Sequence, residues 1–249
     1  MSSAGYWLVM PAAGRGKRLG GGIPKQYLPL AGRAMILWSL QTFTRDPLCK
    51  GAMVAIGRDD DEWQQLQAQL PARVRETCGG AERADSVRAA LAALLAEGAP
   101  AGDWVMVHDA ARPCVTSREI SALWSAVSTH AAAADERAGG LLAVPLADTL
   151  KRARARESGE AAAERVAATV SREGLWRALT PQMFRLGGLH AALQSAQREQ
   201  RTPTDEAEAM EWQGAAPLLV SGESTNIKVT TYADLQLAEH LLVRADGER

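Results

Sequence analysis

The sequence predicts an α/β fold in which helices cover both faces of a mostly parallel β-sheet. Short apolar strands alternate with helices along the whole chain, and glycine-rich turns follow several strands. The first strand, at 6–10, is an apolar run bounded by proline and glycine, which is typical of a buried strand in a parallel sheet. With 249 residues the chain can bury a sizeable core. We therefore predict one domain, 1–249, with a Rossmann-like three-layer architecture.

Composition and charge exclude several classes of protein. The 28 Lys and Arg against 29 Asp and Glu give a formal net charge of −1, which argues against general binding to nucleic acid or to a membrane surface. The three cysteines, Cys49, Cys78 and Cys114, have no C-x-x-C spacing, so neither a disulfide framework nor a zinc site is predicted. We expect no secretory signal, no membrane span and a cytoplasmic location.

In the first half of the chain each predicted element has a local signal. Apolar residues at helical spacing predict a helix at 34–43, and the acids of 59–62 favour the start of a helix that runs to residue 70. A pair of glycines, Gly79 and Gly80, opens a helix at 83–97. Apolar runs predict further strands at 51–56, 74–77 and 104–108.

The second half continues the alternation. Helical spacing and apolar runs predict a helix at 117–129 and a buried strand at 140–144. We expect a helical turn at 175–179 and a constrained return to the sheet at 180–184. The remaining predictions are helices at 186–197, 205–213 and 232–244 and strands at 166–170, 218–220 and 226–230.

A polar segment interrupts this alternation. Residues 151–165 are rich in Arg, Glu and Ala and contain almost no large apolar residue, so they cannot bury a core face. Because strand character returns at 166–170, we interpret 148–172 as a protruding hairpin or arm. The alternative is a disordered loop.

The loop after the first strand predicts a site for a triphosphate. It contains the cations Arg15, Lys17 and Arg18, and Lys25 closes it. Glycines at positions 14 and 16 let a ligand approach the main chain, whose N–H groups bind anions in such a loop. The alternative is a glycine-rich turn whose cations face water.

Two better-known phosphate loops do not match this stretch. Leu19 stands where the dinucleotide fingerprint G-x-G-x-x-G requires its third glycine. Lys25 is followed by Gln26 and not by the Ser or Thr of a P-loop. A dehydrogenase is further disfavoured because no acid is suitably placed after a second strand.

Two further stretches complete the predicted pocket. In a doubly wound sheet the Gly79–Gly80 turn lies at the carboxyl ends of the strands, where ligands bind, although a tight turn with a solvated Ser86 is the alternative. Asp109 follows a central strand and fits a Mg²⁺ ligand beside phosphates. Strand alternation points His108 the other way, so we interpret it as structural. The remaining histidines have no partner at the spacing of a zinc site.

Several motifs together resemble one family over nearly the whole chain. Pro-Ala-Ala-Gly-x-Gly-x-Arg followed by Pro-Lys-Gln-Tyr-Leu is similar to nucleotidyltransferases that join a sugar phosphate to a nucleotide. With the motifs at 79–87, 107–114, 148–149, 175–182, 204–206 and 226–230, the chain resembles the 2-C-methyl-D-erythritol 4-phosphate cytidylyltransferase family of the non-mevalonate isoprenoid pathway.

The resemblance implies a reaction and a role for each matching residue. In the reaction, CMP passes from CTP to the polyol phosphate by in-line attack of the acceptor phosphate on the α-phosphorus, and pyrophosphate leaves. The family also implies Mg²⁺ as cofactor and a homodimer formed through the 148–172 arm. The implied catalytic residues are Arg18, Lys25, Arg172 and Lys228; the nucleotide-binding residues are Ala12, Ala13, Gly14, Gly16, Lys25, Gly80, Ser86 and Ala110; the acceptor-binding residues are Arg112, Thr149, Arg172, Thr180 and Lys228; and the metal ligand is Asp109.

Two other functions compete with this interpretation. The first is a cytidylyltransferase for another polyol phosphate, such as ribitol 5-phosphate. The second is a nucleotide-binding regulatory domain without catalysis, which loss of Lys25, Asp109 or Lys228 would favour; all three residues are present.

Overall fold

The central sheet is mostly parallel, as the alternation of strands and helices predicts. The computed structural model describes residues 5–14, 22–130, 135, 137–154 and 164–247. The strands are β1 (Tyr6–Pro11), β2 (Pro29–Leu30), β3 (Arg33–Ala34), β4 (Cys49–Ile56), β5 (Val74–Cys78), β6 (Trp104–Val107), β7 (Gly139–Pro145), β8 (Leu150–Ala153), β9 (Val166–Val170), β10 (Trp176–Arg185) and β11 (Leu218–Ser221). Seven of them form one sheet in the order β11-β7-β10-β6-β1-β4-β5.

Helices cover both faces of this sheet. They are α1 (Met35–Thr44), α2 (Asp61–Leu66), α3 (Arg83–Ala96), α4 (Ser117–His130), α5 (Leu186–Arg198), α6 (Glu206–Glu211) and α7 (Tyr232–Gly247), with short 3-10 turns at Lys25–Tyr27 and Gln67–Gln69. None of the helices within the described ranges is long and apolar enough to cross a membrane.

Strand β1 lies in the interior of the sheet and is buried on both faces. It pairs in parallel with β4 on one side and with β6 on the other. Because side chains alternate along a strand, Leu8 and Met10 pack into one core with α1 and α4, whereas Val9 packs into the other with α3 and α5. The three-layer α/β prediction is therefore confirmed.

Two predicted elements are wrong. The helical turn expected at 175–179 is not formed, because β10 begins at Trp176; residues 176–178 pair antiparallel with β7, and this pairing outweighs the local signal. Residues 226–230, expected to be a strand, pair with no strand among the described residues. Their polar main chain is satisfied by a loop instead, because Val229 N donates to Ala111 O (2.8 Å) and Arg112 Nη1 donates to Asn226 O (2.7 Å).

The arm begins as a hairpin. Strands β8 and β9 pair antiparallel and form a small sheet of their own, apart from the central one. The hairpin interpretation of the arm is thus confirmed for its base. Residues 155–163 of the predicted arm lie outside the described residues.

Candidate active site

One open pocket of about 610 Å³ collects most of the predicted site residues. It lies where β1 and β6 end, at the carboxyl edge of the parallel strands, where ligands bind in such sheets. The residues that line it are Pro11, Ala12, Ala13, Gly14, Lys25, Gln26, Gly80, Ala81, Glu82, Arg83, Ser86, Asp109, Ala110, Ala111 and Lys228. Arg18 and Gly16 lie outside the described residues.

The main chain after β1 is fixed from two sides. Ala12 N donates to Ala55 O (2.7 Å), which extends the pairing with β4 by one residue. Ala12 O accepts from the buried side-chain amide of Gln26 (2.6 Å). At the level of sequence Gln26 served only to exclude a P-loop, whereas in the structure it anchors the start of the predicted nucleotide loop.

The second glycine turn packs directly against the first loop. Gly79 N donates to Ile56 O (2.7 Å), and a methyl group on Gly79 would lie 2.5 Å from Ala13 Cβ. The buried Ser86 hydroxyl accepts from Gly80 N (3.1 Å) and donates to Glu82 O (3.2 Å). Ser86 therefore shapes the Gly80 turn, and the prediction that both loops line one pocket is confirmed.

Asp109 is surrounded by three cationic side chains in the pocket. Its Oδ1 accepts from Arg83 Nε (2.8 Å) and its Oδ2 accepts from Lys228 Nζ (2.8 Å), while Arg112 Nε lies 3.7 Å from Oδ2. Burial raises the pKa of the Asp109 carboxyl, but the positive charges of Arg83 and Lys228 outweigh it and hold the pKa well below its usual range. Asp109 is thus a carboxylate at neutral pH.

A pair that no sequence motif predicted, Arg83 and Glu206, lies beside Asp109. Glu206, at the start of α6, accepts from Arg83 Nη1 at Oε1 (2.7 Å) and from Nη2 at Oε2 (3.0 Å). Burial raises the pKa of Glu206, and the charge of Arg83 opposes that rise. The sequence signal for Glu206 is the motif at 204–206, which by itself indicates no function for this residue.

The structural interpretation of His108 is confirmed. The ring is fully buried between Arg112 O (3.1 Å from Nε2) and the Thr180 hydroxyl (3.0 Å from Nδ1), and burial lowers its pKa to about 4. The Thr180 oxygen also accepts from Asp109 N (3.1 Å). Thr180 therefore supports the main chain of Asp109 from behind, and its contact with an acceptor stays a prediction.

Arg112 lies behind Asp109 and ties two segments of the pocket together. The side chain is buried, and Nη1 donates to the main chain of Asn226, two residues before Lys228. Asn226 Nδ2 in turn donates to Thr180 O (2.9 Å) and to Glu119 Oε1 (3.2 Å). This buried network positions Lys228, and a role for Arg112 in acceptor binding stays a prediction.

Two predicted residues lie on the arm and not in the pocket lining of this chain. Thr149 and Arg172 are both exposed. Arg172 Nη1 donates to the main-chain oxygen of Ala147, at the base of the arm. Within one chain, therefore, the structure does not bring these two residues to Asp109.

The residues around Asp109 fit a magnesium ion that arrives with phosphates. Across the described ranges, no three or more His, Cys, Asp or Glu side chains form a metal-binding cluster. Magnesium binds through one or two carboxylates, with phosphate oxygens and water as its other ligands. Asp109 can supply one such carboxylate, but not a complete protein site.

The chain matches one protein family over almost its full length. The model of the family described as "IspD: 2-C-methyl-D-erythritol 4-phosphate cytidylyltransferase" matches residues 6–244. The chain is 48% identical over 231 residues to the Pseudomonas putida protein of that name, covering 93% of each chain, and 48% identical over 244 residues to that of Pseudomonas entomophila, covering 98% of this chain and 97% of the relative.

Two solved structures are similar as well. A 4-diphosphocytidyl-2C-methyl-D-erythritol synthase superimposes with a TM-score of 0.79 and 35% identity, covering 96% of this chain and 98% of the other. The Francisella tularensis 2-C-methyl-D-erythritol 4-phosphate cytidylyltransferase superimposes with a TM-score of 0.78 and 32% identity, covering 95% of this chain and 99% of the other. Fold and sequence therefore agree on the family.

Proposed function

The chain belongs to the 2-C-methyl-D-erythritol 4-phosphate cytidylyltransferase family, and we propose that it transfers CMP from CTP to 2-C-methyl-D-erythritol 4-phosphate. An oxygen of the acceptor phosphate forms a bond to the α-phosphorus of CTP, and the bond from that phosphorus to the bridging oxygen breaks. The products are 4-diphosphocytidyl-2-C-methyl-D-erythritol and pyrophosphate. The observation that carries the proposal is the single pocket in which Lys25, Asp109 and Lys228 meet two loops of small residues.

The small residues suit a pyrimidine nucleotide. Ala12, Ala13 and Gly14 follow β1, and Gly80 faces them from the second turn, so the ligand approaches main chain rather than large side chains. We propose that main-chain groups here recognise cytosine and leave no room for a purine.

Catalysis rests on position and charge, because no covalent bond to the protein is needed. Around Asp109 the cations Arg83, Arg112 and Lys228 outnumber the carboxylates of Asp109 and Glu206, which favours an anionic ligand. We propose that Lys25, Lys228 and Arg18 stabilise the negative charge that develops on the phosphate oxygens as the bond breaks.

We propose Asp109 as the residue that binds Mg²⁺. The ion would neutralise phosphate charge and draw the triphosphate to the end of β6. The chain itself supplies a carboxylate that stays ionised, because Arg83 and Lys228 hold its pKa low.

We further propose a homodimer in which the arm of one chain reaches the pocket of the other. Support comes from β9, in the arm, and from the start of β10, next to it, where Val166 is 64% and Trp176 36% exposed, so that a partner chain could cover both apolar side chains. Across a two-fold axis, each exposed Arg172 would stand near the partner's pocket and present its fork of donors to the acceptor phosphate. Thr149, on the same arm, would contact the acceptor there.

The competing functions are less well supported. The family match favours the methylerythritol phosphate acceptor over ribitol 5-phosphate, and a silent regulatory domain would not need Lys25, Asp109 and Lys228 together. The cytoplasmic location stays a prediction.

A matrix of substrates tests the proposal. The purified protein is incubated with Mg²⁺, with each nucleoside triphosphate in turn, and with either 2-C-methyl-D-erythritol 4-phosphate or ribitol 5-phosphate, and released pyrophosphate is measured. We expect release only with CTP and the methylerythritol phosphate. Faster release with ribitol 5-phosphate would identify the rival acceptor, and no release in any pair would contradict transferase activity.

A further inference from the structure

Arg83 joins two buried carboxylates at the edge of the pocket. It contacts Asp109 through Nε and Glu206 through both terminal nitrogens. The exposed fractions of the side chains are 9% for Asp109 and 1% for Glu206, against 27% for Arg83. One guanidinium thus reaches from the protein interior to the carboxylate that faces the pocket.

Glu206 leaves the guanidinium little freedom. A two-point contact between carboxylate and guanidinium fixes the plane of the guanidinium, and with it the direction of Nε. Glu206 is itself fixed, because α6 is tied to β10: Gln182 Nε2 donates to Asp205 Oδ2 (2.9 Å), and Ala207 N donates to Gln182 Oε1 (2.9 Å). The position of Arg83 is therefore set by the core of the sheet.

The two oxygens of Asp109 consequently face partners of different mobility. Oδ1 is held by Arg83, which Glu206 fixes through two further hydrogen bonds. Oδ2 is held by Lys228, whose side chain is 39% exposed and reaches it on a flexible four-carbon stem. When an ion or phosphate enters the pocket, the Lys228 contact is the one that can be exchanged.

We propose that Glu206 and Arg83 are positioning residues that lock Oδ1 of Asp109, so that Oδ2 alone is offered to the Mg²⁺ of the nucleotide. Lys228 holds Oδ2 until then, and afterwards it is released toward phosphate. This inference rests on the proposed function, in which Asp109 binds the metal.

Titration calorimetry with a CTP analogue tests it without catalysis. The probe is α,β-methylene-CTP, which cannot be cleaved at the α–β position, and binding is measured with Mg²⁺ and again with EDTA. The ratio of the two Kd values gives the gain in affinity that Mg²⁺ confers. For Glu206→Gln we expect this gain to fall by about tenfold or more, the usual cost of losing a residue that orients a metal ligand. The Kd in EDTA should stay within about threefold of the parent, since the nucleotide loops are unchanged.

Two further variants keep the test decisive if Glu206→Gln does not fold. Removing one partner of a buried ion pair is costly because the other charge is left uncompensated. The double variant Arg83→Gln/Glu206→Gln leaves no such charge and should lose the Mg²⁺ gain equally. Glu211→Gln, an exposed site on the same helix, is the matched control and should keep the parental gain. Circular dichroism and Tm confirm that each variant is folded.

A comparison with Asp109→Asn separates the possible failures. If Asp109→Asn loses the Mg²⁺ gain while the folded Glu206 variants keep it, the positioning role is wrong and the proposed metal ligand stands. If Asp109→Asn keeps the gain, Asp109 is not the metal ligand, and both proposals fail. A purely structural role would lower Tm and weaken binding equally with Mg²⁺ and with EDTA, which would also overturn the inference.

Discussion

Replacing Gly79 by alanine should disturb the nucleotide pocket from behind. The new methyl group would lie 2.5 Å from Ala13 Cβ, 2.8 Å from Ser86 Oγ and 3.3 Å from Ile56 O. Ala13 and Ile56 meet it with atoms that no side-chain rotation can move. Since carbon atoms pack at about 3.5–4.0 Å, the Ala13 loop and the Gly79 turn must separate by roughly 1 Å.

The size of the effect follows from this displacement. Overpacking costs about 1–3 kcal/mol, and the lower entropy of the unfolded chain with alanine offsets about 0.4–1 kcal/mol of it. A net loss of about 1–2 kcal/mol corresponds to a fall in Tm of roughly 2–8 °C for a chain of this length. A displacement of about 1 Å in a loop that orients a reacting group can lower kcat/KM for CTP by about 10²-fold.

Thermal unfolding and steady-state kinetics measure both quantities. Gly102→Ala is the control, because a methyl group there would meet nothing within 4 Å, and it should match the parent. If Gly79→Ala melted and reacted with CTP like the parent, the close packing of the two loops would not shape the nucleotide site.

Three further predictions concern catalysis, the arm and stability. Lys25→Ala should lower kcat by roughly 10²-fold or more, the scale for a preorganised charge; a normal kcat with only a raised KM for CTP would contradict a transition-state role. Mixing inactive Arg172→Ala chains with inactive Lys25→Ala chains should restore activity, because one pocket of the mixed dimer has its own Lys25 and the partner's Arg172; no recovery despite proven subunit exchange would place Arg172 elsewhere. Asp234 accepts hydrogen bonds from Thr230 and Thr231 at the start of α7, and these contacts lower its pKa from 3.8 to about 2. Asp234→Ala should therefore reduce the free energy of unfolding by about 0.5–1 kcal/mol near neutral pH. Because the folded-state pKa is the lower one, the difference should shrink as the pH falls from about 4 to 2, and a pH-independent difference would contradict the assignment.

Local patterns predicted the parts of the site that depend on neighbouring residues. The loop after β1, the Gly79–Gly80 turn and Asp109 at the end of β6 each follow a strand, and a parallel sheet brings such ends to one edge. The opposite orientation of His108 and Asp109 also followed from strand alternation alone.

Contacts between distant segments could not be predicted in this way. Arg83 and Glu206 are 123 residues apart, and their pairing depends on how α3 and α6 pack against the sheet. The turn expected at 175–179 is a strand for a similar reason, since residues 176–178 pair antiparallel with β7, an earlier segment of the chain. The resemblance implies that the Thr180 hydroxyl binds the acceptor, whereas in the structure this hydroxyl is buried and contacts Asp109 N and His108 Nδ1.

Isotope transfer tests the central claim, that an acceptor phosphate oxygen attacks the α-phosphorus of CTP in this pocket. The protein is incubated with Mg²⁺, CTP and 2-C-methyl-D-erythritol 4-phosphate labelled with ¹⁸O in its phosphate, and the products are separated and analysed by ³¹P NMR and mass spectrometry. We predict a diphosphate product whose bridging oxygen carries the label, together with unlabelled pyrophosphate. Label in the pyrophosphate, or CMP formed without a diphosphate product, would contradict this account.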